Sequence, residues 1–370
     1  MSFIRNVSIT LATRCALFVI GLATSIVLAR AVGPEGKGIL SLAILASAVI
    51  FYATNLGIGM GAGYFLGRRK VSLELLTGTW LTLSLLIGLS VLVVAVLVAP
   101  YIVPSIMPSV PVWFVQLSLV SVPCLILIYT FQTVFKAMGD FKRFNILDLF
   151  QPGSFLILFV LLIYIVPGHK LSAAVSVNAS SYIIAAVAVL VLTAGVVRLR
   201  FRWSGELARA SARFGIQGYL ASFLDFLNLR LDLLLVNLFL APRFVGYYTI
   251  SVMIAEKLWY VPDVLSVVLY PRVAHGGEEE ANRDTAVVSR QTVLIILFGC
   301  VGILLVGRPV VRYFYTEQFL PAVIPLFVLL PGILAASVAR IISSDLLARG
   351  YPRVHLWAGL VALISNVGLN

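Results

Sequence analysis

The chain has 370 residues, of which 61% are apolar and 11% charged, whereas soluble domains hold about 45–50% apolar and about 25% charged residues. That balance excludes an ordinary soluble enzyme, a disordered tail and a coiled coil, and points to a chain that lives in a membrane. The net charge of +12, from 27 basic and 15 acidic residues, would suggest nucleic acid in a soluble protein; here the cations sit in short connections between apolar runs, so they read as topology signals and no nucleic-acid partner is expected.

A membrane-crossing helix needs about 20 apolar residues to cover about 30 Å of hydrocarbon. Ten runs reach that length: 8–32, 38–66, 75–99, 111–136, 145–166, 172–196, 215–240, 244–270, 287–307 and 321–347. An eleventh starts near 354 and reaches Asn370 with no closing polar flank, as expected of a truncated copy of a longer protein. The first run is too long for the apolar part of a signal peptide and carries Arg14, so it reads as a span. With the N-terminus inside, the inner connections collect most of the cations, among them Arg68, Arg69, Lys70, Lys136, Lys142, Arg143 and the Arg198–Arg213 group. The outer ones hold only Lys37, Lys170, Arg243, Arg308 and Arg312. This asymmetry predicts a cytoplasmic N-terminus.

The most basic connection, 198–214, reads as a linker between an N-terminal six-helix bundle (1–197) and an incomplete C-terminal bundle (215–370). An internal repeat supports the division. Residues 33–42 (GPEGKGILSL) align with 241–250 (APRFVGYYTI), pairing Pro34 with Pro242 and Gly38 with Gly246. Residues 137–143 (AMGDFKR) align with 348–353 (ARGYPR), pairing Gly139 with Gly350. Two matches in order at nearly one offset predict a duplicated fold: an all-α integral membrane protein of two six-helix bundles related by a pseudo-twofold along the membrane normal, the second bundle truncated.

Ionisable groups inside spans are costly, about 2.5–3.5 kcal/mol on insertion scales, and mark cavities or partners. In the first span Thr10, Thr13, Arg14, Gly21, Thr24 and Ser25 share a face, with Arg30 on the opposite side near the outer end. Arg14 is a candidate for an anionic group or for a salt bridge to another helix. In the seventh span Asp225, Asn228 and Asp232 share a face, with Arg230 on roughly the opposite side. In the eighth, Thr249, Glu256, Tyr260 and Asp263 form a stripe beside Lys257. Two readings stand together: a proton or sodium site on Asp225, Asp232 and Glu256, or a closed network pairing Asp225 or Asp232 with Lys257 and Glu256 with Arg230. Arg340 either pairs with Asp345 or faces the inner mouth of a cavity. The second span's Gly57, Gly59, Gly61 and Gly63 allow close helix approach. Prolines 123, 152, 262, 325 and 331 mark bends.

Cys15, Cys124 and Cys300 are scattered through apolar runs, as are His169, His275 and His355, so neither a disulfide framework nor a metal site is expected. The His275–Glu280 segment reads as a solvated acidic turn. No nucleotide-binding or hydrolase motif occurs, and no cofactor is expected.

The first hairpin, SIVLARAVGPEGKGILSLA (25–43), resembles the opening of bacterial polysaccharide biosynthesis proteins of the lipid-linked oligosaccharide flippase family, relatives of the MATE exporters and the lipid II flippase. Residues 228–274, with Asp232, the Val245-Gly246-Tyr247-Tyr248 turn and Pro271, resemble that family's seventh and eighth helices. The resemblance implies a bacterial cytoplasmic-membrane protein that moves an undecaprenyl-pyrophosphate-linked glycan from the inner to the outer leaflet without covalent chemistry, hence not an enzyme. Arg14, Arg230, Lys257 and Arg340 are then candidates for binding the pyrophosphate, and Asp225, Asp232 and Glu256 for ion coupling or internal salt bridges. Its partners would be the glycan lipid, membrane lipids, a coupling proton or sodium ion and polysaccharide assembly proteins. The competing readings are an ion-coupled small-molecule exporter of MATE type and, less favoured because the outer connections are short, a membrane glycan polymerase.

Overall fold

A computed structural model describes residues 2–55, 57, 59, 61, 65–66, 72–165 and 168–369, with the side chains of 2–7, 164, 217–218, 221, 352–353, 355–356, 366–367 and 369 left aside. Gly63, Arg68, Arg69 and Lys70, singled out in the sequence, lie outside the described residues. The described residues are overwhelmingly helical and include no strand. In chain order the helices are α1 (Ser2–Thr54), α2 (Leu73–Ile106), α3 (Val112–Leu119), α4 (Ser121–Ala137), α5 (Phe141–Ile165), α6 (Lys170–Ala194), α7 (Gly205–Phe239), α8 (Pro242–Ala255), α9 (Tyr260–His275), α10 (Glu278–Val310), α11 (Val323–Ala348) and α12 (Pro352–Leu369).

Seven helical stretches among the described residues are long and apolar enough to cross a membrane. Each of the ten runs is mostly helical among its described residues, but four differ from straight spans; the fourth is split at Val120 into α3 and α4. The first two join in α1, kinked at Gly33, whose φ of 69° suits a residue without Cβ and which precedes Pro34 at the first position of the second arm. The second run is not continuous: the helix stops at Thr54, Asn55 and Gly57 are non-helical with Gly57 at φ 66°, and helix resumes by Gly59. The eighth run is split into α8 and α9 by a 3-10 turn at Glu256–Trp259, ahead of Pro262, which lacks the N–H that an unbroken helix would use there. The acidic segment 278–280 is likewise not a loop. It is the first turn of α10, where three carboxylates complement the positive helix end.

The chain divides into two compact units, residues 1–32 with 39–227 and residues 33–38 with 228–370. The first includes the 198–214 segment, of which 205–214 is continuous with the seventh span in α7. Its core gathers Leu81, Leu127, Phe131, Phe135 and Val189 from α2, α4 and α6. Trp80, fully buried, donates through Nε1 to Ser211 Oγ at 3.2 Å and ties α7 to α2. The second unit packs α8, α10 and α11 through Ala255, Ile296, Cys300, Leu326 and Ile333, and α9 to them through Leu269, Val273, Ala281 and Ile341.

The repeated motifs are structurally alike. Gly139 and Gly350 both take positive φ, 73° and 84°, and the next residue's N–H reaches back five positions, Asp140 to Phe135 O and Tyr351 to Leu346 O, each at 2.9 Å. This is the glycine-ended closure of a helix. The other pair meet each other within the second unit: a Cβ on Gly38 would fall 1.9 Å from the Pro242 carbonyl oxygen, and one on Gly246 would fall 2.0 Å from that of Pro34. Only glycine fits at either position.

Candidate functional site

Arg14 lies on the polar face of α1, and that face packs on α5. Asn145 Nδ2 donates to Thr10 Oγ1 at 3.1 Å. One α5 turn on, Asp148 stands 3.4 Å from Arg14 Nη1, with 51% of the Arg14 side chain exposed. The i, i+4 spacing on α1 and the i, i+3 spacing on α5 place both contacts along one helix–helix seam. Sequence reading missed Asp148, although an acidic residue just inside the fifth run was visible there. The long, half-exposed pair leaves much of the guanidinium fork open to another anion.

The second unit carries a tighter cluster. Arg230 on α7 donates through Nη1 and Nη2 to the two carboxylate oxygens of Glu256, at 2.7 and 3.2 Å. Asp232 accepts the Tyr248 hydroxyl at 2.5 Å and its own chain's Leu233 N–H at 2.7 Å. Arg230, Asp232, Tyr248 and Glu256 lie close enough to influence one another electrostatically. The helical wheel set Arg230 apart from Asp232, and their bonded partners do differ: Arg230 reaches Glu256 in the 3-10 turn, while Asp232 takes Tyr248, which the wheel left out. Of the alternatives read in the sequence, the pairing of Glu256 with Arg230 is present.

The remaining candidates stand elsewhere. Lys257 Nζ lies 5.4 Å from the centre of the Tyr260 ring, and Asp225 is exposed on α7. Arg340 does not pair with Asp345. Its Nη1 donates to Asp263 on α9 at 2.7 Å, and its guanidinium lies over the Trp259 ring at 4.3 Å. Asp345 accepts instead from Thr285 and Arg349, at 2.7 and 2.9 Å, because four residues along a helix, unlike five, lie on one face. No group of three or more His, Cys, Asp or Glu able to hold a metal occurs among the described residues.

Comparison with known proteins places this arrangement. The comparison with curated protein sequences gives no match. Among solved structures, the inward-facing conformation of a multidrug resistance MATE family transporter of the MOP superfamily matches with a TM-score of 0.76 at 15% identity, over 95% of this chain and 84% of that one. The lipid II flippase MurJ in its inward closed conformation matches with a TM-score of 0.76 at 13% identity, over 98% of this chain and 80% of that one. At such identities the likeness establishes the fold, a MATE- and MurJ-like multi-pass membrane architecture. The family model described as polysaccharide biosynthesis protein matches residues 27–324, and on that match the chain belongs to the polysaccharide biosynthesis protein family.

Proposed function

We propose that this protein is a flippase that carries an undecaprenyl-pyrophosphate-linked oligosaccharide across a bacterial cytoplasmic membrane by alternating access, with its N-terminus in the cytoplasm and without covalent chemistry. The observation that carries the reading is Arg14. It stands within a long apolar helix, and half of its side chain remains exposed beside Asp148. A cation kept exposed in such a helix needs water or an anionic ligand to face. A guanidinium is the side chain best shaped for a phosphate. Arg230, Lys257 and Arg340 serve as further cationic contacts as the headgroup passes. Asp225, Asp232 and Glu256 supply carboxylates that can exchange a proton or sodium ion. The N-terminal bundle, 1–197, and the incomplete C-terminal bundle, 215–370, with their 198–214 connection, are the bodies that move.

The test is a reconstituted assay. Proteoliposomes are loaded with a fluorescent undecaprenyl-pyrophosphate glycan, and the fraction reaching the opposite leaflet is followed. Transport by the intact protein that falls at least about tenfold in Arg14→Ala, equivalent to about 1.4 kcal/mol, supports the reading. Absence of flipping by the well-inserted intact protein overturns it.

A second reading, an ion-coupled exporter of small molecules, is favoured by the equal TM-score of 0.76 to the MATE transporter. Gradient-driven efflux of cationic dyes with no flipping of the glycan lipid would establish it.

A further inference from the structure

The break in the second apolar run lies in an unusual setting. Backbone that leaves the helix at membrane depth is tolerated where it is buried in protein or lines a polar path, and interrupted helices mark binding sites in transporters. Here Asn55 and Gly57 are non-helical, directly after the Ser8–Thr54 stretch that is long and apolar enough to cross a membrane. Gly57 is packed so closely that its Cβ would fall 2.3 Å from the Gly215 carbonyl oxygen of α7. The Asn55 side chain is fully buried beside the Tyr219 hydroxyl, yet neither amide atom has a hydrogen bond of good geometry. Tyr219 donates instead to the Phe51 carbonyl, at 3.5 Å. The Tyr219 hydroxyl is a polar neighbour of this amide, and a buried amide left incompletely hydrogen-bonded costs about 1–3 kcal/mol.

The surroundings are aromatic. Tyr52 lies nearly parallel to Phe226, with centroids 4.1 Å apart and planes at 11°, and nearly parallel to Tyr219 on a wider spacing of 6.4 Å. Tyr129 adds a third phenol, edge-on to Phe51. Tyr52, Tyr129 and Phe226 are only partly buried, so the stack has an open edge while the amide beneath it is covered. All these residues belong to the first unit. Flat rings beside an unsatisfied amide and phenol hydroxyls fit one ligand chemistry well. The C–H faces of a pyranose pack on the negative faces of aromatic rings, and its hydroxyls both donate to and accept from a carboxamide.

We infer that Asn55, Tyr52, Tyr219 and Phe226 form a sugar-recognition site that binds a pyranose ring of the transported glycan. In the present state Tyr52 stacks on Phe226; the sugar ring takes the place of one ring of the stack, and the Asn55 amide gains further hydrogen bonds. This inference rests on the flippase reading and extends it. It places selection of the glycan on the first unit, at a helix break rather than at the cations.

The experiment measures binding of the full-length protein in nanodiscs to bare undecaprenyl pyrophosphate and to the same carrier bearing glucose, galactose, N-acetylglucosamine or N-acetylgalactosamine. At least one sugar should bind about tenfold more tightly than the bare carrier. Asn55→Ala and, separately, Phe226→Leu should reduce that preference to about twofold or less while leaving affinity for the bare carrier unchanged. Because Asn55→Ala removes an unsatisfied group, its melting temperature should equal or exceed that of the intact protein, a result that an amide with a structural role would not give. Equal affinity for all sugars and the bare carrier, or a sugar preference that survives both substitutions, overturns the inference and leaves the flippase reading standing. If the intact protein binds neither bare nor glycosylated carrier, the flippase reading itself falls and this inference with it.

Discussion

The two units hold their charged pairs in different ways. In the first, Arg14 and Asp148 stand 3.4 Å apart with 51% and 24% of their side chains exposed. In the second, Arg230 grips Glu256 with both guanidinium nitrogens, and the two are 32% and 23% exposed. A single long contact in a hydrated setting contributes little, about 0–1 kcal/mol. A bidentate pair with less access to water is stronger, and removing one partner strands the other. The first unit thus leaves a cation half exposed beside its acid, while the second holds its cation and acid in a two-bonded pair.

The comparison breaks first at Arg230. Arg230→Ala strands Glu256, and the expected loss is about 2 kcal/mol, below the roughly 3–5 kcal/mol of a fully buried pair because part of both groups reaches solvent. Thermal unfolding in detergent should show it directly, and an unchanged melting temperature would put the two pairs in the same class. Arg14→Ala should change stability by less than about 1 kcal/mol while lowering glycan-lipid transport about tenfold or more. A stability loss as large as that of Arg230→Ala would erase the distinction between the units.

Exchange of the pair sharpens the comparison further. Arg230→Glu combined with Glu256→Arg retains one cation and one carboxylate across the same gap. It should recover roughly half of the stability lost in Arg230→Ala, about 1 kcal/mol, because charge is restored but the fork geometry is not. The corresponding exchange of Arg14 with Asp148 should leave stability within about 0.5 kcal/mol and still abolish transport, since the cation then sits on α5.

Much of the fold was legible because hydropathy and turn chemistry are local. Runs of apolar residues gave the helices, Gly33-Pro34 gave the kink of α1, and Gly139 and Gly350 gave matching turns. The broken second span was hidden because Asn55 and Gly57 stand among apolar residues and glycine alone does not end a helix. The α8–α9 break had a local cause in Pro262, but the 3-10 turn that aims Glu256 at Arg230 depends on packing. Helical wheels grouped Thr10 with Arg14, whose partners Asn145 and Asp148 lie along one seam, and set Arg230 apart from Asp232, in keeping with its pairing to Glu256. Asp148 and Tyr248, the partners of Arg14 and Asp232, belong to other helices, and pairing across helices is not encoded in the periodicity of either one.

An ion pair outside the spans calibrates both charged pairs and should show the smallest effect. Asp140 precedes α5, accepts the Arg143 backbone N–H at 3.1 Å and also pairs with the Arg143 guanidinium. Burial opposes ionisation of Asp140, but these hydrogen bonds and the charges of Arg143 and Lys142 outweigh it and hold the carboxyl below its usual range. A carboxyl depressed in the folded state contributes stability above its unfolded pKa of about 3.9 and loses that contribution as the pH falls through the folded value. Asp140→Asn keeps a good helix cap and removes the charge. It should therefore approach the intact protein as the pH falls through the folded Asp140 value and fall short of it by no more than about 1 kcal/mol at pH 7. Asp140→Ala loses the cap as well, so its deficit of about 1 kcal/mol should persist at low pH. Melting temperatures recorded from pH 3 to pH 7 separate the two, and a deficit in Asp140→Asn that did not shrink with acid would mean that the charge is not what Arg143 holds.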